Sequence, residues 1–143
     1  MKKFYLLLVI SVVSGNNLFA QWSATNLSGN INTVFVNGTV LLVGTNGGSV
    51  VLGTSDDGIS WGNANTGMDQ YPDVSAFAAN TTYIYAGTTG GVYRCSTDGM
   101  YNWTKVLNNV SCFSLLINSS GIFAGTLGGG VYFSGDNDYH RQL

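Results

Sequence analysis

The stretch SAFAANTTYIYAGTTGGVYRCSTDGMYNW, residues 75–103, holds the pattern that organises the whole chain. It reads as strand, turn, strand, glycine turn, strand, an Asp-containing turn, and the start of a short fourth strand. Two further stretches align with it. TVFVNGTVLLVGTNGGSVVLGTSDDGISW precedes it at residues 33–61, and SCFSLLINSSGIFAGTLGGGVYFSGDNDY follows at residues 111–139. The Gly-Thr pairs Gly44-Thr45, Gly87-Thr88 and Gly125-Thr126 correspond, each followed by a cluster of glycines. By eye, Phe35, Phe77 and Phe113 also correspond, which puts Cys112 in the slot of Val34 and Ala76. A period of about 40 residues matches one four-stranded propeller blade.

Local chemistry agrees with this reading. Asn37-Gly38 marks a two-residue hairpin, since both central positions of a type I′ turn take positive φ. Segments such as Val40–Val43 and Tyr83–Ala86 are apolar on both faces. A sheet packed between two neighbouring sheets needs such strands, whereas a one-sided sheet alternates. Twenty glycines with one proline, Pro72, mean tight turns, and eight Tyr and seven Phe suit strands. The expected class is all-β: a partial β-propeller of about three four-stranded antiparallel blades, the last lacking its outer strand.

The first residues read as a secretory signal. Lys2 and Lys3 form a short positive region, an apolar run extends from Phe4 to Val13, and Ala20 precedes Gln21. The run is too short for the roughly 20 residues of a membrane span. The predicted organisation is therefore a signal peptide over 1–20, a lone outer strand over 21–28, and blade 1 over 29–68. Blade 2 follows over 69–108 and an incomplete blade 3 over 109–143. The lone strand is placed by Trp22, which stands about one period before Trp61. The expected address is secreted, periplasmic or cell-surface, with no membrane span once the signal is removed. Six Asn-x-Ser/Thr sites, at Asn26, Asn37, Asn80, Asn102, Asn109 and Asn118, carry no meaning for a bacterial chain. They would invite glycosylation in a eukaryote.

Thr54-Ser55-Asp56-Asp57-Gly58-Ile59-Ser60-Trp61 resembles the Asp-box, or BNR repeat, of the form Ser/Thr-x-Asp-x-Gly-x-Thr/Ser-Trp. The second copy keeps Ser96, Asp98 and Trp103 but carries Met100 and Asn102 where the motif has Gly and Thr/Ser. The third keeps only Ser134 and Asp136. The resemblance implies a structural set: Thr54, Asp56, Gly58, Ser60, Trp61, Ser96, Asp98, Trp103, Ser134 and Asp136. An Asp side chain accepts N–H groups of its own turn, and the Trp packs on the sheet while donating its N–H. In the family these boxes lie at the blade periphery, away from the active face.

Composition weighs against chemistry. The sialidases that share the motif use three arginines, a tyrosine with a glutamate, and an aspartate, but this chain has two arginines and no glutamate. The single His140 lies near the end, and one His with two Cys is a poor zinc set. Asp136 and Asp138 alone fall short of the six to eight oxygens calcium takes. No catalytic, cofactor or metal residues are therefore expected. After signal removal three basic residues face seven aspartates, with no basic stripe for nucleic acid. Cys95 and Cys112 fall on third and first strands roughly 10 Å apart, too far to bridge, and are expected as buried thiols.

The expected function is a non-catalytic binding module for a protein, peptide or glycan. Alternatives are part of a glycosidase with catalytic residues outside this chain, and a sensory propeller of a membrane receptor. About three blades cannot close a ring of four to eight. Two explanations stand: missing C-terminal blades of a longer protein, or a strand-exchanged homodimer in which each Trp22 strand completes the other copy's third blade.

Overall fold

The computed structural model describes residues 22–47, 50–53, 60–69 and 72–135. The proposed signal peptide, Thr54, Asp56 and Gly58, and Asp136, Asp138 and His140 lie outside them. Eleven strands and no helix occur among the described residues, so no helix there is long and apolar enough to cross a membrane.

Blade 1 contains β1 (Ile31–Asn37), β2 (Val40–Thr45), β3 (Val50–Gly53) and β4 (Trp61–Asn63). Blade 2 contains β5 (Val74–Ala79), β6 (Tyr83–Thr88), β7 (Gly91–Ser96) and β8 (Thr104–Asn108). Blade 3 contains β9 (Cys112–Asn118), β10 (Gly121–Thr126) and β11 (Gly130–Ser134). Strands pair in chain order, all antiparallel, as two four-stranded sheets and one three-stranded sheet. The first strands lie side by side, β1 against β5 and β5 against β9. The sheets therefore fan outward from these three strands, as a partial propeller does.

Stacking puts the core between blades. Leu42, Phe35 and Val40 of blade 1 meet Ile84, Ala86, Tyr93, Cys95, Phe77 and Trp103 of blade 2. Tyr85, Val92 and Val106 of blade 2 meet Cys112, Leu115, Ile122, Ala124 and Tyr132 of blade 3. Blade 2 is thus covered on both faces, and β6 is buried nearly throughout, as its apolar character on both faces anticipates. Each fully buried side chain of this size contributes roughly 1.5–3 kcal/mol.

One contact recurs at both seams. A side chain on Gly44 would meet Val74 of the next blade, its Cβ falling 2.7 Å from Val74 Cγ1. A Cβ on Gly87 would fall 2.7 Å from Cys112 Sγ. Val74 and Cys112 hold the same position, each opposite the Thr of the Gly-Thr pair. The glycine lets the following blade's first strand approach closely enough to seat that side chain. Both cysteines are buried and unbridged, Cys95 at the first seam and Cys112 at the second.

Register corrects two sequence alignments. Phe35 pairs with Leu42 and Phe77 with Ala86, while Phe113 lies in an irregularity between Cys112 and Ser114. Counting from the aligned glycines, Phe77 matches Val34 and Leu115, and Phe35 matches Ala78 and Leu116. Cys112 accordingly matches Ile31 and Val74 rather than Val34 and Ala76. Every first strand carries a register shift near its start, between Ile31 and Thr33, between Val74 and Ala76, and opposite Gly125/Thr126. Such bulges turn neighbouring side chains to new faces, which alignment by residue type does not track.

The hairpin of blade 1 is also shifted by one residue. Asn37 pairs with Val40, so the loop is Gly38-Thr39, with positive φ at Gly38 (62°) alone. That is the type II′ pattern rather than type I′. Residues 22–28, expected as a lone outer strand, pair with no strand, and Trp22 is 99% exposed. Trp22 shares the period of the other tryptophans, but no described sheet edge receives it.

The seam contact makes a direct prediction. Gly87→Ala lowers stability by about 1–3 kcal/mol through overpacking against Cys112, read as a lower urea midpoint. In a Cys112→Ala background that penalty shrinks by more than half. An unchanged penalty would detach Gly87 from the seam.

A candidate binding cleft and the turns that frame it

The end of the sheets where β1 turns into β2 also carries the turn between β7 and β8. That second turn is built from Ser96 to Trp103. Asp98 Oδ1 accepts the Met100 N–H at 3.1 Å and the Asp98 N–H reaches Ser96 Oγ at 3.4 Å. Gly99 at φ 89° and Tyr101 at φ 41° let the chain reverse in this short span. The strained Tyr101 is held because its ring is buried at the first seam.

The turn ties two blades together. Thr97 N–H donates to Thr82 O at 3.0 Å, within blade 2. Asn37 Nδ2 of blade 1 donates to Thr97 O at 3.4 Å. Trp103 is 2% exposed, and its Nε1–H donates to Ala64 O at 2.7 Å while its backbone N–H donates to Thr66 O at 2.8 Å. The indole of blade 2 therefore anchors the segment leaving blade 1. Phe35, Phe77 and Trp103 form a run of rings across the seam, with centroids 5.9 and 6.3 Å apart. Of the other candidate positions, Ser60 is exposed, Trp61 begins β4 half-buried, and Ser134 ends β11.

Between the hairpin tips of blades 2 and 3, at this same end, lies a cleft of about 230 Å³. Asn80, Thr81 and Thr82 form one wall and Asn118, Ser119 and Ser120 the other, with Ile117 below. Both asparagines brace their turns. Asn80 Oδ1 accepts the N–H of Thr82 at 2.9 Å and of Tyr83 at 2.8 Å, and Asn118 Oδ1 accepts the Ser120 N–H at 2.8 Å. Asn37, Asn80 and Asn118 precede the three hairpin loops at equivalent positions. Three of the six Asn-x-Ser/Thr sites therefore stand at hairpin turns, where asparagine suits the backbone. Among the described residues, the cleft wall holds amides and hydroxyls and no charged side chain.

Polar groups at the opposite end tie each blade's entry to a glycine turn. Asp73 Oδ1 accepts the Gly47 N–H, Thr89 N–H donates to Asp73 O at 3.0 Å, and Ser111 Oγ donates to Thr89 O at 3.1 Å. Asn46 to Asn30 O and Leu127 to Ser111 O repeat the same backbone bond in the other blades.

Among titrating groups, Asp69 is ion-paired with Lys105, whose hydrogen bond holds the carboxyl below its usual range. The same bond raises Lys105, and burial raises Tyr93, over which Lys105 lies at 5.0 Å. Burial pushes the Cys95 thiol up to about 12 and Cys112 up to about 11. Thiols so shifted stay protonated near neutrality and are poor nucleophiles.

Two measurements follow. Trp103→Phe leaves Ala64 O buried without its donor and costs about 1–3 kcal/mol, whereas Trp103→Ala costs about 3–5 kcal/mol. Equal, small losses from both would remove the anchoring role. For the thiols the folded values lie above the unfolded one, so their stabilisation is complete below the unfolded value of about 8.5. It is lost as pH climbs through about 11 and 12. Native protein should resist Ellman's reagent at pH 8 and lose stability above pH ~9; rapid native labelling of both thiols would contradict their burial.

The family model of the DUF6242 beta propeller domain matches residues 14–141. No curated protein matches the chain. The match spans the three stacked sheets and nearly the whole sequence, and it agrees with the fan of blades seen here. The chain belongs to the DUF6242 beta-propeller domain family.

Proposed function

We propose that this chain is a non-catalytic, secreted or cell-surface propeller module whose cleft between blades 2 and 3 binds a neutral saccharide. The observation that carries the reading is the character of that cleft: two walls of Asn, Thr and Ser around a space of about 230 Å³. Amides and hydroxyls offer both donors and acceptors, matching a sugar hydroxyl without the desolvation cost of a charge. A single ring fits a space of that size.

The absence of catalysis rests on composition and on the thiols. The sequence has no glutamate and two arginines, and Cys95 and Cys112 are held protonated. Secretion rests on the Lys2-Lys3 start and the apolar run to Val13. The repeated turns are read as Asp-boxes on the geometry of the Asp98 turn and its buried Trp103. They act as structural rim pins framing the cleft.

A glycan array probed with the mature chain, followed by calorimetry on the best sugar, tests this. Ser119→Trp fills the cleft from an exposed turn position and should weaken binding at least about tenfold (1.4 kcal/mol) with unchanged circular dichroism. An array with no hits, or unchanged affinity in the variant, would refute the assignment.

A further inference from the structure

The cleft between blades 2 and 3 spends both of its asparagine amide oxygens on its own turns. Asn80 Oδ1 accepts the N–H groups of Thr82 and Tyr83, and Asn118 Oδ1 accepts that of Ser120. Two backbone oxygens on the blade 2 wall are committed as well. The Thr97 hydroxyl lies 3.3 Å from both Thr81 O and Thr82 O, and the Thr97 N–H also donates to Thr82 O. These bonds shape the tips, so the same oxygens are poorly placed to take protons from a ligand.

Donors are disposed differently. Oxygen and nitrogen diverge from one planar amide carbon, so an oxygen turned to its own backbone leaves the NH2 on the other side. Asn118 is exposed and lines the cleft, and its Nδ2 carries two such protons. Serine and threonine hydroxyls donate and accept alike, so the wall as a whole has a surplus of donors. Among the described residues, Ile117 is the one apolar side chain there. It is half-buried and packs from behind on the core between blades 2 and 3, which holds it firmly as a floor.

An amide donor next to a fixed aliphatic floor complements a carbonyl that carries a methyl group. Resting on the saccharide reading above, we infer that the cleft selects a 2-acetamido sugar over the parent hexose. The acetamido carbonyl accepts from Asn118 Nδ2 and its methyl group covers Ile117. A plain hydroxyl at the same carbon of the sugar satisfies the donor less well and leaves the floor wet.

NMR titration of the isotopically labelled protein compares three ligands: the methyl glycoside of glucose, its 2-acetamido counterpart, and the 2-formamido analogue that lacks the methyl group. The acetamido glycoside should bind at least about tenfold tighter than the plain one, and the formamido analogue about fourfold weaker than the acetamido. Asn118→Asp keeps an oxygen for the Ser120 N–H while removing the donor, and should cut the acetamido preference about fivefold or more. Equal affinities for acetamido and plain glycosides, or a preference untouched by both the variant and the loss of the methyl group, would sink this inference and leave the saccharide reading standing. Binding by none of the three would sink both.

Discussion

Everything in this fold depends on how closely one sheet can approach the next. A Cβ at Gly44 or Gly87 would occupy the space taken by Val74 or Cys112 of the following blade. With glycine there, the first strands β1, β5 and β9 lie side by side and the sheets splay outward from them. The same approach lets Phe35 reach Phe77 and brings Trp103 over the segment that leaves blade 1. Apolar burial supplies most of the stabilisation, while the glycines determine which side chains meet across each seam.

Polar contacts divide by end. Around the Asp98 turn, Asn37 and Trp103 spend their hydrogen bonds on the neighbouring blade or its exit segment. At the opposite end, Asp73, Thr89 and Ser111 stitch each blade's entry to a glycine turn. Open space lined by amides and hydroxyls lies between the tips of blades 2 and 3. A scaffold held by seams can carry such a cleft on short turns, whose side chains are free to vary without disturbing the core.

The sheets and their order were legible in the sequence because glycine positions, strand composition and period all point the same way. The Gly-Thr pairs align in sequence as they do in space, and β6 is buried on both faces as its residues imply. The Phe alignment was not reliable. Each first strand contains a bulge near its start, so residue type and register part company at Phe77 and Phe113. The cleft was invisible for a related reason. Its walls are common turn residues, and only the lateral packing of two blades brings Asn80–Thr82 opposite Asn118–Ser120. The three asparagines were a usable signal, since their equal distance from the aligned glycines marks the hairpin tips.

The most direct measurement of the account is a set of proton–proton NOEs across the seams in the isotopically labelled protein. The account predicts strong cross-peaks from the Gly44 α-protons to the Val74 methyls and from the Gly87 α-protons to the Cys112 β-protons. Their absence, with Val74 and Cys112 giving NOEs only within their own blades, would contradict it.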